Sequence, residues 1–406
     1  MRRDTAFLAL LSSILPLLLQ GCAIPTRLDA VPAQDTSRAV IPHIPNARFW
    51  VDTDLEPFVR EAQTALAREQ ASRAAAGNTG TLPPANFLAI SGGGDHGAFG
   101  AGLLVGWTRQ GTRPEFNVVT GVSTGALIAP FAFLGPAYND ELQAVYTTVA
   151  PRDIFIRRNI LAALINDGMA DNQPLWTLMS KHINEDMLAK IAREYRKGRL
   201  LLVGTANLDV RRPVIWNMGA IAEAAAVYPQ ALDLFRYVLI ASASIPGAFP
   251  PVMIDVELDG KPYQEMHVDG GAITQVFIYP VGLGSAIRDQ VQKIVPRERN
   301  LYIIRNARLD PDWASVERRT ITIAGRAIAS LIHTQGIGDL YRLYLQAKQD
   351  GLNYHLAYIG ADFTTPHQQS FDTEFMQALF DYGYQMALPG YPWRTTPPGP
   401  PATPPQ

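Results

Sequence analysis

The chain has 406 residues, 47% hydrophobic and 18% charged, with 35 basic and 37 acidic side chains and a formal net charge of -2. That balance lacks the clustered Lys and Arg that a nucleic-acid backbone requires, so nucleic acid is not an expected partner; the nearest approach, Arg193–Arg199, reads as a solvated helix face. The length suits one large core or two modest ones.

Met1-Arg2-Arg3 is a short basic start, followed by an apolar run from Ala6 to Leu19. The run is shorter than the ~20 residues of a membrane-spanning helix and ends in small residues, so residues 1–21 are expected to be a cleaved export signal. Leu19-Gln20-Gly21-Cys22 resembles the lipobox of bacterial lipoproteins, in which a small residue precedes a Cys that is acylated and becomes the new N-terminus. Cys22 is the only cysteine, which leaves no disulfide partner and no support for thiol catalysis. Several acyl chains on one residue anchor firmly, each buried CH₂ adding ~0.8 kcal/mol. The expectation is a lipid-anchored protein on the periplasmic side of a bacterial cell envelope, with Ala23 in place of Asp favouring the outer membrane. The alternative is an ordinary secretory signal with an incidental Cys.

Residues 22–84 read as a Pro-dotted tether from Ala23 to about Pro45, an Ala-rich helix over Phe58–Ala76 and a loop over Gly77–Pro84. A core over 85–285 then begins abruptly. Phe87–Ile90 is a buried-strand run, Ala98–Arg109 has helical spacing, Phe116–Thr120 is a second strand and Thr124–Leu134 a second helix. Strand, helix, strand, helix within fifty residues implies a right-handed βαβ unit and a parallel sheet. A helix at Glu185–Lys197 follows, then strands at Leu200–Thr205 and Pro213–Trp216, a helix at Leu232–Ala241, a Pro-rich loop at Ile245–Val252 and a strand at Tyr263–Val268. Residues 286–388, with a strand at Leu301–Arg305 and a long helix from about Ser315 to Ala347, complete the α/β domain. The segment 389–406 reads as a disordered Pro-rich tail.

Three motifs stand at strand ends. Gly121-Val122-Ser123-Thr124-Gly125 is a G-x-S-x-G between a strand and a helix. A sharp turn there exposes a serine oxygen above the sheet, and the helix start at Thr124 turns free N–H groups and its positive dipole end toward that oxygen. The bland reading is a Ser/Thr helix cap in a glycine turn. Gly92-Gly93-Gly94-Asp95-His96-Gly97 likewise follows a strand and opens a helix. Its backbone N–H groups can converge on one anion, such as a tetrahedral oxyanion, where each lost donor costs ~10²–10³ in rate. The same residues spell G-x-G-x-x-G, but a dinucleotide site needs an acid at the end of the second strand, and Ser123 stands there instead. Asp269-Gly270-Gly271, after the third relevant strand, is weak alone because Asp-Gly is a common turn. Beside the other two motifs it supplies a base.

Together the glycine loop, the G-x-S-x-G and the D-G-G resemble the patatin-like phospholipase family over roughly Ala85 to Pro280, reinforced by Gly204–Asp209 and Ala241–Pro251. The resemblance implies a three-layer α/β/α fold with a mostly parallel sheet. It also implies lipid acyl hydrolase or esterase activity through a Ser–Asp dyad, with neither metal nor other cofactor. Carried over, Ser123 is the nucleophile, Asp269 the base, the Gly92, Gly93 and Gly94 backbone the oxyanion hole, and Gly97, Gly121, Gly125, Gly270 and Gly271 the supporting motif glycines. The family's glycine loop usually carries Arg or Lys where this chain has His96, which is only partly charged near neutral pH.

An unperturbed Asp, with a pKa of ~3.9, is a feeble base; burial beside Val268, Ile273 and Val276 would raise it. The rival arrangement is a Ser–His–Asp triad using His333, His355 or His367, each of which also reads as a structural histidine. His267 shares a strand face with Asp269, so it and His96 are expected to adjoin the site. The seven histidines are scattered, without a metal-ligand pair. An inactive lipid-binding envelope protein is the remaining class. Apolar stretches at Ile154–Ile165 and Leu175–Met179 suit an acyl groove or plain core packing. Substrate head group, chain length and oligomeric state are not encoded legibly.

Overall fold

The computed structural model describes residues 26–158, 167–280, 297–311 and 313–399. Residues 1–25, including the signal stretch and Cys22, lie outside the described residues, as do 159–166, part of the Ile154–Ile165 stretch.

The apolar runs form one large sheet. Its strands are β1 (Arg48–Trp50), β2 (Ala85–Ile90), β3 (Val118–Gly121), β6 (Leu200–Asn207), β7 (Arg212–Asn217), β8 (Val252–Leu258), β9 (Lys261–Asp269), β10 (Arg299–Arg308) and β11 (Asn353–Ile359). A small separate pair is formed by β4 (Ile156–Arg157) and β5 (Ala170–Asp171). The main order is β1-β7-β6-β3-β2-β10-β11, and the β8–β9 hairpin joins through β6. Strands β6, β3, β2, β10 and β11 run parallel, whereas β7, β1 and β9 are antiparallel additions. Both faces of the parallel strands are apolar because helices cover both.

In chain order the helices of the main layers are α1 (Leu55–Ala75), α2 (Gly97–Gln110), α3 (Thr124–Leu134), α4 (Asn139–Thr147), α5 (Pro151–Ile154), α6 (Gln173–His182), α7 (Glu185–Arg196), α8 (Met218–Ala224), α9 (Gln230–Ala243), α10 (Thr320–Asp350) and α11 (Thr373–Ala387). Leu88, Ile90 and Ile304 point into the core shared with α2, α3, α9 and α11. Ala89, Leu301 and Ile303 point to the opposite face, under the second half of α10. Helix α1 covers that face beside Leu200 and Leu202. The result is the expected three-layer α/β/α arrangement. Among the described residues no helix is long and apolar enough to cross a membrane.

Two expectations fail. Residues 26–45 are no tether: Val31, Ala39, Ile41 and Ile44 are buried, Val40 bridges to Glu257 and Arg27 forms a two-pronged pair with Asp209 (2.7 and 2.8 Å). Their backbone is irregular, so periodicity never marks them, yet each apolar side chain finds the sheet. The start of the supposed disordered tail is also docked. Leu356 and Arg394 exchange backbone hydrogen bonds (2.8 and 3.0 Å), and Trp393 packs 4.9 Å from Trp107. Aromatic burial outweighs the Pro-rich composition there. Residues 400–406 lie outside the described residues.

Candidate active site

The chemistry-bearing motifs gather at the carboxyl edge of the sheet, where parallel strands release their loops. Strand β3 ends at Gly121 and α3 begins at Thr124, so Val122 and Ser123 make the whole turn. Ser123 sits at φ 55° and ψ -127°, a conformation that costs energy for any residue with a Cβ and lifts its hydroxyl above the strand ends. The strand and helix pass so closely that a Cβ on Gly125 would lie 2.2 Å from the Ile90 carbonyl oxygen. The Ser123 N–H donates to Ser242 Oγ (3.0 Å), whose hydroxyl donates to the Gly204 carbonyl (2.7 Å). The strained turn is thereby pinned to β6 and α9.

Strand β9 brings Asp269 opposite Thr205 of β6, and the Asp269 N–H donates to the Ser244 carbonyl at 2.9 Å. Its carboxylate accepts a hydrogen bond from the Gly271 N–H (2.7 Å), and the Ser123 side chain lies near enough to favour its charged form. Ser123 and Asp269 are only 6% and 5% exposed. Burial pushes the Asp269 carboxyl up to about 7, although both neighbours favour its charged form.

The glycine loop lies against this pair, since a Cβ on Gly92 would sit 3.1 Å from Ser123 Cβ. Of the three expected oxyanion donors, the Gly92 N–H is already engaged, donating to the Gln275 carbonyl at 3.1 Å. Gly93 and Gly94 N–H have no acceptor among the described residues, and neither does Thr124 N–H at the start of α3. N–H groups left free in this loop and at this helix start suit a developing negative charge.

Several supporting residues carry no sequence signal. Asn306, at the end of β10, donates from its side chain to the Ser91 carbonyl (2.9 Å) and accepts from Gly100 N–H (3.1 Å), bracing the glycine loop from both sides. Gln275 contacts the buried guanidinium of Arg305 (3.4 Å), whose pKa burial pushes down to about 10, still cationic at neutral pH. Asp95 is buried and accepts from His367 Nε2 (2.7 Å) and Phe371 N–H (2.7 Å), with His96 Nδ1 at 3.2 Å. These neighbours hold the Asp95 carboxyl far below its usual range against the desolvation that opposes them.

The histidines separate cleanly. His96 adjoins the glycine loop but turns to Asp95. His267 is fully buried between Thr205 Oγ1 (2.9 Å) and Glu265 Oε2 (3.1 Å), so it braces β6 against β9 instead of adjoining the serine. The triad arrangement finds no partner for Ser123: His367 is on Asp95, His355 stacks on Tyr302 (4.7 Å) and His333 lies on α10 near Asp310. Among the described residues no group of three His, Cys, Asp or Glu could hold a metal.

Next to the nucleophile an apolar cavity of about 60 Å³ is lined by Thr124, Leu127, Leu175, Met179, Leu239 and Met376 among others. Part of the Leu175–Met179 stretch therefore faces space as well as core.

Residues 88–281 match the family model described as patatin-like phospholipase. Among solved structures the chain is similar to VipD from Legionella pneumophila, at 10% identity, covering 75% of this chain and 67% of that one, with a TM-score of 0.33. It is also similar to human GIVD cytosolic phospholipase A2 (10% identity, 79% and 53% covered, TM-score 0.30) and to the type III effector protein ExoU (14% identity, 76% and 53% covered, TM-score 0.21). The chain spans about half the length of the latter two. No curated protein sequence matches it. Through residues 88–281 the chain carries a patatin-like phospholipase domain.

Proposed function

We propose that this protein hydrolyses acyl esters of lipids through Ser123 and Asp269. The observation that carries the reading is the Ser123 side chain lying beside a buried carboxylate that burial pushes up to about 7. A carboxyl group with that affinity for protons can take one from serine and return it within the working pH range. Ser123 Oγ attacks the ester carbonyl as its proton passes to Asp269, and the tetrahedral oxyanion settles on the N–H groups of Gly93, Gly94 and Thr124. Collapse breaks the bond to the alcohol, which leaves with the proton from Asp269. Water, deprotonated by Asp269, then attacks the acyl-serine; the carboxylic acid departs and the serine recovers its proton. The apolar cavity beside Thr124 suits an acyl chain. Attachment through a lipidated Cys22 on the periplasmic side of a bacterial envelope belongs to the same proposal, supported by the Leu19–Cys22 segment. Ser123→Ala and Asp269→Asn are each expected to lower turnover of a chromogenic acyl ester by at least about 10³-fold while the protein stays folded. Substantial turnover in the Asn variant would remove the dyad.

A further inference from the structure

Helix α10 is far longer than the sheet it crosses. It leads from the end of β10 back to the start of β11, so its N-terminal end lies at the carboxyl edge of the sheet, the edge that bears Ser123. Its 31 residues extend ~46 Å, against ~23 Å for the 7 residues of β11. Only the second half packs. Gly336 is the first buried residue, against the Arg305 guanidinium, and Leu340, Leu343 and Ala347 follow into the core. From Thr320 to Gln335 no described side chain is buried, so roughly 24 Å of helix projects past the sheet.

The projecting half has two unlike faces. At 100° per residue Ile323, Ala327, Leu331 and Ile328 share one side, with Ser330 at its edge beside Ile323, while Thr322 and Arg326 lie on the other. Ile323, Ile328 and Leu331 are 52%, 46% and 70% exposed, and Trp313, on the approach to the helix, is 86% exposed. Scattered single exposures need no explanation, but a clustered apolar face with a tryptophan beside it does. The charge around it is positive: residues 313–332 hold Arg318, Arg319 and Arg326 against Glu317 alone. Apolar side chains flanked by arginines and an indole are the composition of a segment that lies in the plane of an anionic bilayer surface.

We infer that the projecting half of α10, with Trp313 and Arg318–Arg319, docks on an anionic lipid surface and sets the Ser123 edge of the sheet against it. The inference rests on the lipid-hydrolase reading of Ser123. Docking there presents the acyl-binding edge to lipid without requiring the substrate to leave the bilayer through water.

The test uses the full chain with Cys22→Ser, which frees labelling from the native thiol, and Ser123→Ala, which makes the outcome independent of hydrolysis. An environment-sensitive fluorophore is placed on Leu331→Cys and, separately, on Ala329→Cys, about 160° round the helix. Vesicles of phosphatidylcholine with phosphatidylglycerol should raise and blue-shift emission at 331, roughly twofold in intensity, and leave 329 in water. Adding Arg318→Ala with Arg319→Ala should weaken the vesicle partition seen at 331 by about tenfold or more. No response at 331, equal responses on both faces, or a response that needs only higher protein concentration without vesicles would overturn the docking surface. The last outcome would identify a second copy as the occupant. Failure of the hydrolase reading shows separately, as ester turnover by the parent chain that persists in Ser123→Ala.

Discussion

In the proposed mechanism Asp269 exchanges stability for reactivity. Its buried carboxyl titrates near 7, above the 3.8 of the free group, so the protonated form stabilises the fold fully below about pH 4 and that contribution is lost as pH rises through about 7. The proposed catalysis needs the opposite state, because only the carboxylate can accept the serine proton. Turnover at saturating ester should therefore rise with pH to a midpoint near 7, measured by a pH–rate profile. Asp269→Asn removes the titration, and its melting temperature should exceed that of the parent by a few degrees at about pH 8 and lose that advantage at about pH 4. Both residues of this pair were legible in the sequence because each follows an apolar strand and is framed by glycines. Asn306 was not, because nothing around it repeats or brackets it and its partner Ser91 lies 215 positions away.

At the scale of an element, the glycine loop is shaped from outside. A Cβ on Gly93 would fall 2.0 Å from the Asn306 carbonyl oxygen, so Gly93→Ala must displace β10 or the loop itself. Ester turnover should fall by about 10²-fold or more, alongside a lower melting temperature, whereas Asn306→Ala should lower turnover with a smaller stability loss. The loop is also tied to the segment before α11 through Asp95. His367 and His96 outweigh burial here: the Asp95 carboxyl is depressed, and the His367 imidazolium is raised by the carboxylate it donates to. That pair stabilises from about pH 4, is fully present up to the ordinary imidazole value of ~6.5, and is lost as pH rises through the raised value. His367→Ala should accordingly cost melting temperature near pH 6 and little near pH 9. His96 lies in the glycine-loop motif itself, but its partner and the role of His367 follow from a loop closure that no local pattern records.

Across the whole molecule, the parallel strands and their helices were legible from apolar runs and 3.6-residue spacing, with ends displaced by a few residues. What escaped was the irregular chain that closes the fold: residues 26–50, the β8 strand, and Tyr391 to Arg394. These segments bury side chains singly against distant partners, so no periodic signal builds up. Arg48 shows how strongly the first of them belongs to the domain. Its guanidinium is buried against Glu265, which also receives Asn207 (3.0 Å) and His267 (3.1 Å), and the Arg48 charge helps hold the Glu265 carboxyl down to about 2 against desolvation. Arg48→Ala would strand that carboxylate in the interior and should destabilise the protein by about 3–5 kcal/mol, read from urea unfolding. A segment that were merely a tether would tolerate the change.

The central claim is that Ser123, activated by Asp269, is the reactive group. Treatment with a fluorophosphonate followed by peptide mapping tests it most directly. The account predicts a single covalent adduct on Ser123, absent from Ser123→Ala, strongly slowed in Asp269→Asn and unaffected in kind by His355→Ala. A protein that takes no adduct, or takes it at full rate without the Asp269 carboxylate, would contradict it.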